Sequence, residues 1–241
     1  MRIGIIAAMP GELKPLVRGW EPQHSGVRGL AVWKTLRDGH ELIAVSGGMG
    51  SNAALRAFTA AEFLGALDLA LSVGWAGALT PQMETGKCYL PCEVIDVQTG
   101  ERFASAAGER ALRLVTTPQV ADATEKRRLH ESYSASLVDM EAATVARLAM
   151  MRQVPFYCFK AVSDSENATL PDLNRFIDTQ GQMQIASFLS HVAVRPQHWG
   201  SLMELGRNSS VAARSLAESV NIFLAEQTMG RAPLNGAANS E

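Results

Sequence analysis

The chain has 241 residues, of which 47% are hydrophobic and 19% charged, a balance typical of a globular protein with a sizeable buried core. A formal net charge of −2 excludes the strongly basic composition of most nucleic-acid-binding domains. No window reaches the roughly 18 uncharged apolar residues of a spanning helix. The first residues also lack the pattern of a signal peptide, so a cytoplasmic protein is expected.

Cysteine and histidine spacing gives no sign of a disulfide framework or a metal site. Cys88, Cys92 and Cys158 are odd in number, and no second pair or nearby histidine completes a ligand set around the first two. The five histidines are scattered along the chain. We therefore expect neither a metal nor an organic cofactor.

Apolar runs bounded by turn residues predict the strands of a sheet. In chain order the strands are expected at residues 2–8, 30–36, 41–46, 67–74, 86–96, 111–116 and 154–162. Asp38-Gly39 is typical of a tight turn and predicts a hairpin between the second and third. Residues 136–151 should begin extended and become helical near Glu141. Further helices are predicted at residues 12–20, 52–64, 174–193 and 199–226.

Strands alternating with helices, and apolar throughout, indicate a largely parallel or mixed sheet covered on both faces. We expect one domain over residues 1–228 that includes an additional C-terminal helix, followed by a flexible tail at 229–241. In such sheets ligands bind beyond the carboxyl ends of the strands. Polar or glycine-rich clusters occupy such positions at residues 9–12, 46–50, 74–78 and 163–164, and another opens a helix at 138–141.

Three acidic residues in these clusters are candidates for chemistry. Asp164 follows an apolar run interrupted only by Lys160, where desolvation would raise the pKa of its carboxyl and suit it to proton donation. Glu141 could accept hydrogen bonds from the vicinal hydroxyls of a sugar, and Glu12 could serve as a base. Each has a structural alternative: Asp164 as a helix cap, and the two glutamates as acids at a helix start.

The two glycine-rich turns are weaker indications of a ligand. The segment at residues 46–50 is not a Walker loop, because no Gly-Lys-Ser/Thr follows it. Its glycines would allow a ligand to approach the backbone closely.

Taken in order, five segments resemble the nucleoside phosphorylase superfamily, and most closely its methylthioadenosine/S-adenosylhomocysteine nucleosidases. The segments are IGIIAAMPGEL, SGGMG, SVGWAGAL, VDMEAATVA and KAVSDSEN. The resemblance spans roughly residues 1–190. It implies a three-layer α/β fold with a central twisted mixed sheet flanked by helices, and cleavage of the N-glycosidic bond of a purine (adenine) nucleoside.

The resemblance also implies roles for individual residues. Glu12 would activate water, Met49, Met140 and Glu141 would contact the ribose, and Asp164 would protonate or hydrogen-bond N7 of the purine. Ser163 would also lie at the base, and Thr116, Thr117 and Gln119 are our own candidates for the rest of the base pocket. The rest of the pocket would be formed by Met9, Gly48, Trp75, Ala76 and Gly77.

Two departures from the family pattern concern the pocket. Trp75 stands where the family has serine, so its ring would fill or reshape space near the ribose. The stretch between Asp96 and Ser136, which normally supplies purine contacts, is short.

Water is the expected nucleophile. Phosphorylases of the superfamily place an arginine before the second glycine turn, where this chain has Ala70-Leu71-Ser72. A phosphate dianion without a cationic partner would be poorly held. A phosphate-dependent phosphorylase and a non-catalytic nucleoside-binding protein remain alternatives.

Residues 199–223 extend beyond the usual nucleosidase end, with apolar side chains at helical intervals. Such a helix packs on the core or faces a second subunit, and a homodimer or other homo-oligomer is expected. A short nucleosidase-like chain with an added helix is also similar to the hopanoid-associated phosphorylases. That similarity implies a lipid-linked adenosine as the substrate.

Overall fold

The computed structural model describes residues 1–168, 172–184, 187–188, 190–191, 195 and 199–229. Apart from Met229, the predicted tail lies outside these residues.

The described part contains a sheet of eleven strands. In chain order they are β1 (Arg2–Ala7), β2 (Glu21–Gln23), β3 (Ala31–Arg37), β4 (His40–Ser46), β5 (Leu69–Ala78), β6 (Cys88–Tyr89), β7 (Pro91–Asp96), β8 (Arg102–Ala104), β9 (Glu109–Thr116), β10 (Leu137–Asp139) and β11 (Phe156–Asp164).

Five α-helices accompany the sheet in the described residues, together with a 3-10 turn at Leu173–Phe176. They are α1 (Pro10–Leu13), α2 (Ser51–Phe63), α3 (Ala123–Tyr133), α4 (Ala142–Arg152) and α5 (Trp199–Met229). None of these helices combines the length and the apolar character needed to cross a bilayer.

The strands run in the order β2-β3-β4-β1-β5-β10-β9-β7-β8, and β11 pairs with both β5 and β6. Strand β5 is parallel to β1 and β11 but antiparallel to β10, so the sheet is mixed. The carboxyl ends of β1, β5 and β11 therefore point the same way. This common edge brings together residues that are far apart in the sequence.

Helices cover both faces of the sheet, as predicted. Phe58 of α2 and Val145 of α4 are buried in the cluster on one face. On the other face α5 contributes Leu216, Val220 and Phe223. The Phe223 ring lies 4.6 Å from that of Tyr157 in β11, between ring centroids. Helix α5 is thus part of the core, and its amino-terminal turns are carried to the same edge as the strand ends.

The helix predicted at residues 12–20 was wrong, and the one predicted at 174–193 was confirmed only in part, because residues 187–188 and 190–191 are helical. The helix expected at residues 12–20 ends at Leu13 and continues as turns, because Pro15 has no amide to extend it and Gly19 has a φ of +84°. Residues 174–184 form no α-helix, and Ile177 bridges Met183 around Gly181, whose φ is +75°. The helix α3 and the short strands β2 and β8 were not predicted.

Candidate active site

A cavity of about 560 Å³ opens at the carboxyl edge of the sheet. Its walls come from α1, the ends of β5, β10 and β11, helix α3 and the first part of α5. Twelve of the fourteen residues predicted for the site line it: Met9, Glu12, Met49, Trp75, Ala76, Gly77, Thr117, Gln119, Met140, Glu141, Ser163 and Asp164. Thr116 does not line it.

Gly48 is the other predicted residue that does not line the cavity. It has a φ of +102°, and a Cβ there would lie 2.4 Å from Nε2 of Gln182. Gln182 donates through Nε2 to the carbonyl of Gly47 at 2.8 Å, and the amide of Met49 donates to the carbonyl of Gly181 at 2.7 Å. Gly48 thus permits the segment around Gly181 to dock on the turn and fix Met49 at the cavity wall.

Both oxygens of Glu12 accept hydrogen bonds from backbone amides. The amide of Met9 donates to Oε2 at 2.7 Å, and that of Trp75 donates to Oε1 at 2.8 Å. The bond from Met9 caps the amino end of α1, so Glu12 is also the acid at a helix start that the sequence analysis gave as an alternative. The bond from Trp75 holds the carboxylate against β5. Burial raises the pKa of Glu12, and these amides and Lys160 oppose the shift. A fixed carboxylate with a raised pKa is suited to accept a proton near neutral pH.

The Trp75 ring lies beside α1. A Cβ on Gly11 would lie 3.1 Å from the ring edge, and the ring also packs against the apolar cluster beneath α5. Trp75 therefore contributes an apolar wall on the side of the cavity that α5 closes.

Glu141 precedes α4 and turns toward the glycine-rich segment. Its Oε1 accepts from the amide of Gly50 at 2.6 Å, and the side chain makes no helix-capping bond. Asp139 instead makes a hydrogen bond to the first turn of α4, because its Oδ2 accepts from the amide of Ala142 at 2.9 Å. Burial, reinforced by the nearby charge of Asp139, raises the pKa of Glu141 to about 8.

The raised pKa of Glu141 predicts a loss of stability as pH rises. In the unfolded chain the carboxyl ionises near 4.5, whereas in the folded chain it keeps its proton to about 8. The folded state therefore binds more protons in this window, and the free energy of unfolding falls from about pH 4.5 to 8. Urea unfolding should show a shallower decline for Glu141→Gln than for the wild type, whereas parallel pH profiles would contradict the assignment.

Lys160 is the cation beneath Glu141. Its Nζ lies 2.8 Å from Oδ2 of Asp139, and both side chains are almost completely buried. Burial alone would lower the pKa of Lys160, but the charge and hydrogen bond of Asp139, together with the charges of Cys158 and Glu141, outweigh it and the net shift is upward. Oδ1 of Asp139 also accepts from the hydroxyl of Thr116 at 2.6 Å, so the buried carboxylate has partners on both oxygens.

Removing one member of this pair should be costly. Lys160→Met is expected to lower the free energy of unfolding by about 3–5 kcal/mol, because it leaves Asp139 charged and buried without a counter-ion. Lys87→Met is the matched control, since Lys87 pairs with Glu84 at 3.7 Å on the surface. Equal midpoints for the two variants in urea would show that the buried pair does not support the fold.

Asp164 ends β11 and is followed by a turn, so it caps no helix. Its Oδ1 accepts from the hydroxyl of Ser163 at 2.6 Å, and its Oδ2 forms an ion pair with Lys126. The sequence predicted a partly desolvated carboxyl, and the structure adds a cation beside it that the sequence analysis did not identify. Lys126 lies on α3, which the sequence analysis missed.

The other predicted base contacts lie beside this pair. Thr117 donates through its hydroxyl to the carbonyl of Gln119 at 2.8 Å, and Gln119 itself is exposed at the rim. The hydroxyl of Thr117 is thereby engaged by the backbone, so it shapes the pocket rather than offering a free donor.

The sequence contains a local signal for α3, the helix that carries Lys126. Asp122 accepts from the amide of Glu125 at 2.8 Å and caps α3, an arrangement that Asp-x-x-Glu spacing indicates. Nothing local, however, points Lys126 toward Asp164, which is 38 residues away in the chain.

Comparisons with known proteins show the family to which the chain belongs. The model of the phosphorylase superfamily matches residues 2–119 and 113–193, most of the chain. The chain belongs to the phosphorylase superfamily. It is an enzyme of this superfamily, as its motifs predicted.

Individual relatives are nucleosidases. The chain is 26% identical to the aminodeoxyfutalosine nucleosidase of Campylobacter jejuni, a match covering 68% of this chain and 86% of that protein. The Helicobacter pylori 5′-methylthioadenosine/S-adenosylhomocysteine nucleosidase, as a mutant with 5′-methylthioadenosine in the active site, superposes with a TM-score of 0.70 at 16% identity, covering 93% and 98% of the chains. For the futalosine hydrolase of the same species the TM-score is 0.71 at 15% identity, covering 94% and 98%. These superpositions confirm the predicted fold.

Proposed function

We propose that the protein hydrolyses the N-glycosidic bond of an adenine nucleoside that carries a bulky apolar 5′ substituent. The observation that carries this proposal is the meeting of Glu12, Glu141 and Asp164 in one cavity, from three separate segments of the chain. The relatives named for nucleosidase activity support it.

The three carboxyl groups match what the reaction requires. Departure of the base leaves an oxocarbenium-like sugar and a negatively charged purine, so a proton at the purine lowers the barrier. In the proposed arrangement Asp164 faces the purine, Glu141 binds the ribose hydroxyls, and Met49 and Met140 pack against the sugar. Glu12 accepts the proton of the attacking water.

Water is favoured over phosphate because Glu12 already occupies the backbone donors at its end of the cavity. The amides of Met9 and Trp75, which could hold an anion, both donate to its carboxylate. Lys160, the buried cation nearby, is paired with Asp139. A phosphate dianion would therefore meet a carboxylate rather than free donors.

An apolar 5′ substituent is favoured by the wall that α5 and the preceding segment contribute. Leu202, Leu205 and Gly206 of α5 line the cavity, together with Met183 and Phe188. These apolar residues line the same cavity as the three carboxyl groups, so an apolar group on the substrate would find apolar contacts there. A lipid-linked adenosine is the largest substrate that this arrangement suggests.

Chromatography of the released base tests the proposal. The protein is incubated with methylthioadenosine, aminodeoxyfutalosine, adenosylhopane and inosine, each with and without phosphate. We expect free adenine and a reducing sugar at a rate independent of phosphate. Formation of a sugar 1-phosphate only when phosphate is present would establish the phosphorylase alternative, and calorimetric binding of a nucleoside without any base release would support the binding-protein alternative.

The same panel resolves the substituent. Cleavage of adenosylhopane in preference to methylthioadenosine would support lipid contact through α5, and the reverse order would exclude it. A single catalytic domain over residues 1–228, a homo-oligomeric assembly and a cytoplasmic location remain predictions.

A further inference from the structure

Lys126 is a buried cation beside Asp164 in the wall of the cavity. Its side chain is 3% exposed, and its Nζ forms an ion pair with Oδ2 of Asp164. The same Nζ donates to the carbonyl of Ser165 at 2.6 Å. A lysine has three N–H donors, so a third proton remains beyond these two acceptors.

Both carboxylate oxygens of Asp164 accept hydrogen bonds from neighbouring side chains. Ser163 donates to one carboxylate oxygen and Lys126 donates to the other. In this arrangement the transferable proton is on the lysine. A carboxylate with donors on both oxygens has nothing to give a departing purine until a neighbour supplies a proton.

We propose that Lys126 is the proton reservoir of the leaving group, delivering a proton through Asp164 to the purine. The inference rests on the proposed function and identifies a positioning residue that the motifs do not contain. Lys126 acts through Asp164, and its position on α3 fixes both the charge and the orientation of that carboxylate.

The step balances in protons and electrons. The bond between C1′ and the purine nitrogen breaks, and its electron pair passes to the base. The base takes a proton at N7 from Asp164, which takes one from the ammonium group of Lys126. Water adds its oxygen to C1′ and gives its proton to Glu12. Exchange with solvent then removes the proton from Glu12 and returns one to Lys126.

No other charged group competes for Lys126 in the described part of the cavity. Glu12 and Glu141 accept from backbone amides, and Asp139 is paired with Lys160. Lys14 lies at the exposed rim. On α3 itself Glu125 is paired with Arg128 at the surface, at 2.6 Å.

The test compares Lys126→Met and Lys126→Arg with the wild type, using the nucleoside cleaved fastest in the panel. The methionine variant must take the leaving-group proton from solvent. Near pH 5 its kcat/KM should therefore be lower than that of the wild type by no more than about tenfold. Near pH 8 its kcat/KM should be about 10²-fold lower than that of the wild type. Taking the ratio cancels the ionisation of Glu12, which is common to both proteins.

The arginine variant separates proton supply from charge. A guanidinium can keep the ion pair with Asp164 but does not release a proton at these pH values. We therefore expect Lys126→Arg to lose at least about 10²-fold in kcat/KM near pH 8, the lower end of the range for general acid catalysis. Adenine binding, followed by calorimetry, should stay within a few-fold of wild type.

Two results would overturn the proposal. One is rescue of activity by arginine, and the other is an equal loss for Lys126→Met at every pH; both indicate that Lys126 only supports the fold. Should the methionine variant fail to fold, the arginine variant decides alone. Failure of the proposed function is distinct, because the wild type would then release no base at any pH.

Discussion

Asp164→Asn is expected to lower kcat/KM for the cleaved nucleoside by about 10²–10⁴-fold, the range for loss of a general acid. Asparagine retains the shape of the side chain and an oxygen that can accept from the hydroxyl of Ser163. It carries no proton that can pass to N7, and it removes the counter-ion of Lys126. The loss should therefore fall on kcat more than on KM, measured by chromatography of the released adenine.

Asp38→Asn is the matched control for this substitution. Asp38 lies in the hairpin turn between β3 and β4 with its side chain 61% exposed, far from the cavity. Its φ of +50° is one that asparagine also tolerates. Base release by Asp164→Asn at the rate of this control would refute the assignment of Asp164 as the acid.

Glu12→Gln is expected to have a comparable effect, about 10²–10⁴-fold in kcat/KM, because an amide cannot accept the proton of the attacking water. The geometry adds a second cost. Each carboxylate oxygen accepts from a backbone amide, so the glutamine NH₂ must face the amide of either Met9 or Trp75. Two donors then oppose each other in a buried position, and a lower melting temperature should accompany the loss of activity.

Glu12→Ala distinguishes the loss of the catalytic base from a disturbance of the surrounding structure. Alanine vacates the space of the carboxylate and frees both amides, so added formate is expected to restore part of the rate. Glu84→Gln, whose side chain is 72% exposed, serves as the surface control. Wild-type activity in Glu12→Gln, or a rate that requires phosphate, would show that Glu12 does not activate water.

Most of the residues that the sequence predicted for the site line the cavity, but the ion pairs around them were not predicted. Asp164 and Glu12 follow the parallel strands β11 and β1, so their meeting could be inferred from the rule that parallel strands end at one edge. Glu141 follows β10, which is antiparallel to β5, so its place in the cavity does not follow from that rule. Lys126 on α3 and Lys160 on β11 could not be matched to their partners, because only the tertiary fold brings those elements together.

Residues 174–184 show how tertiary contacts override a helical pattern. The sequence favoured a helix there, but Met183 bridges back to Ile177, and Gln182 binds the glycine-rich turn. The turn can accept this segment because Gly48 has no side chain.

The sequence by itself determined the family, the mixed sheet with helices on both faces, and the identity of the carboxyl groups in the cavity. Local periodicity and turn residues predicted the sheet and its helices, because they depend on residues close together in the chain. The family and the carboxyl groups were indicated by the five motifs that resemble the superfamily. The tertiary structure alone decided which amide or cation each carboxylate meets, because those partners come from elements distant in the chain. Asp164 was predicted as an acid from desolvation, and in the structure it is one half of an ion pair with Lys126.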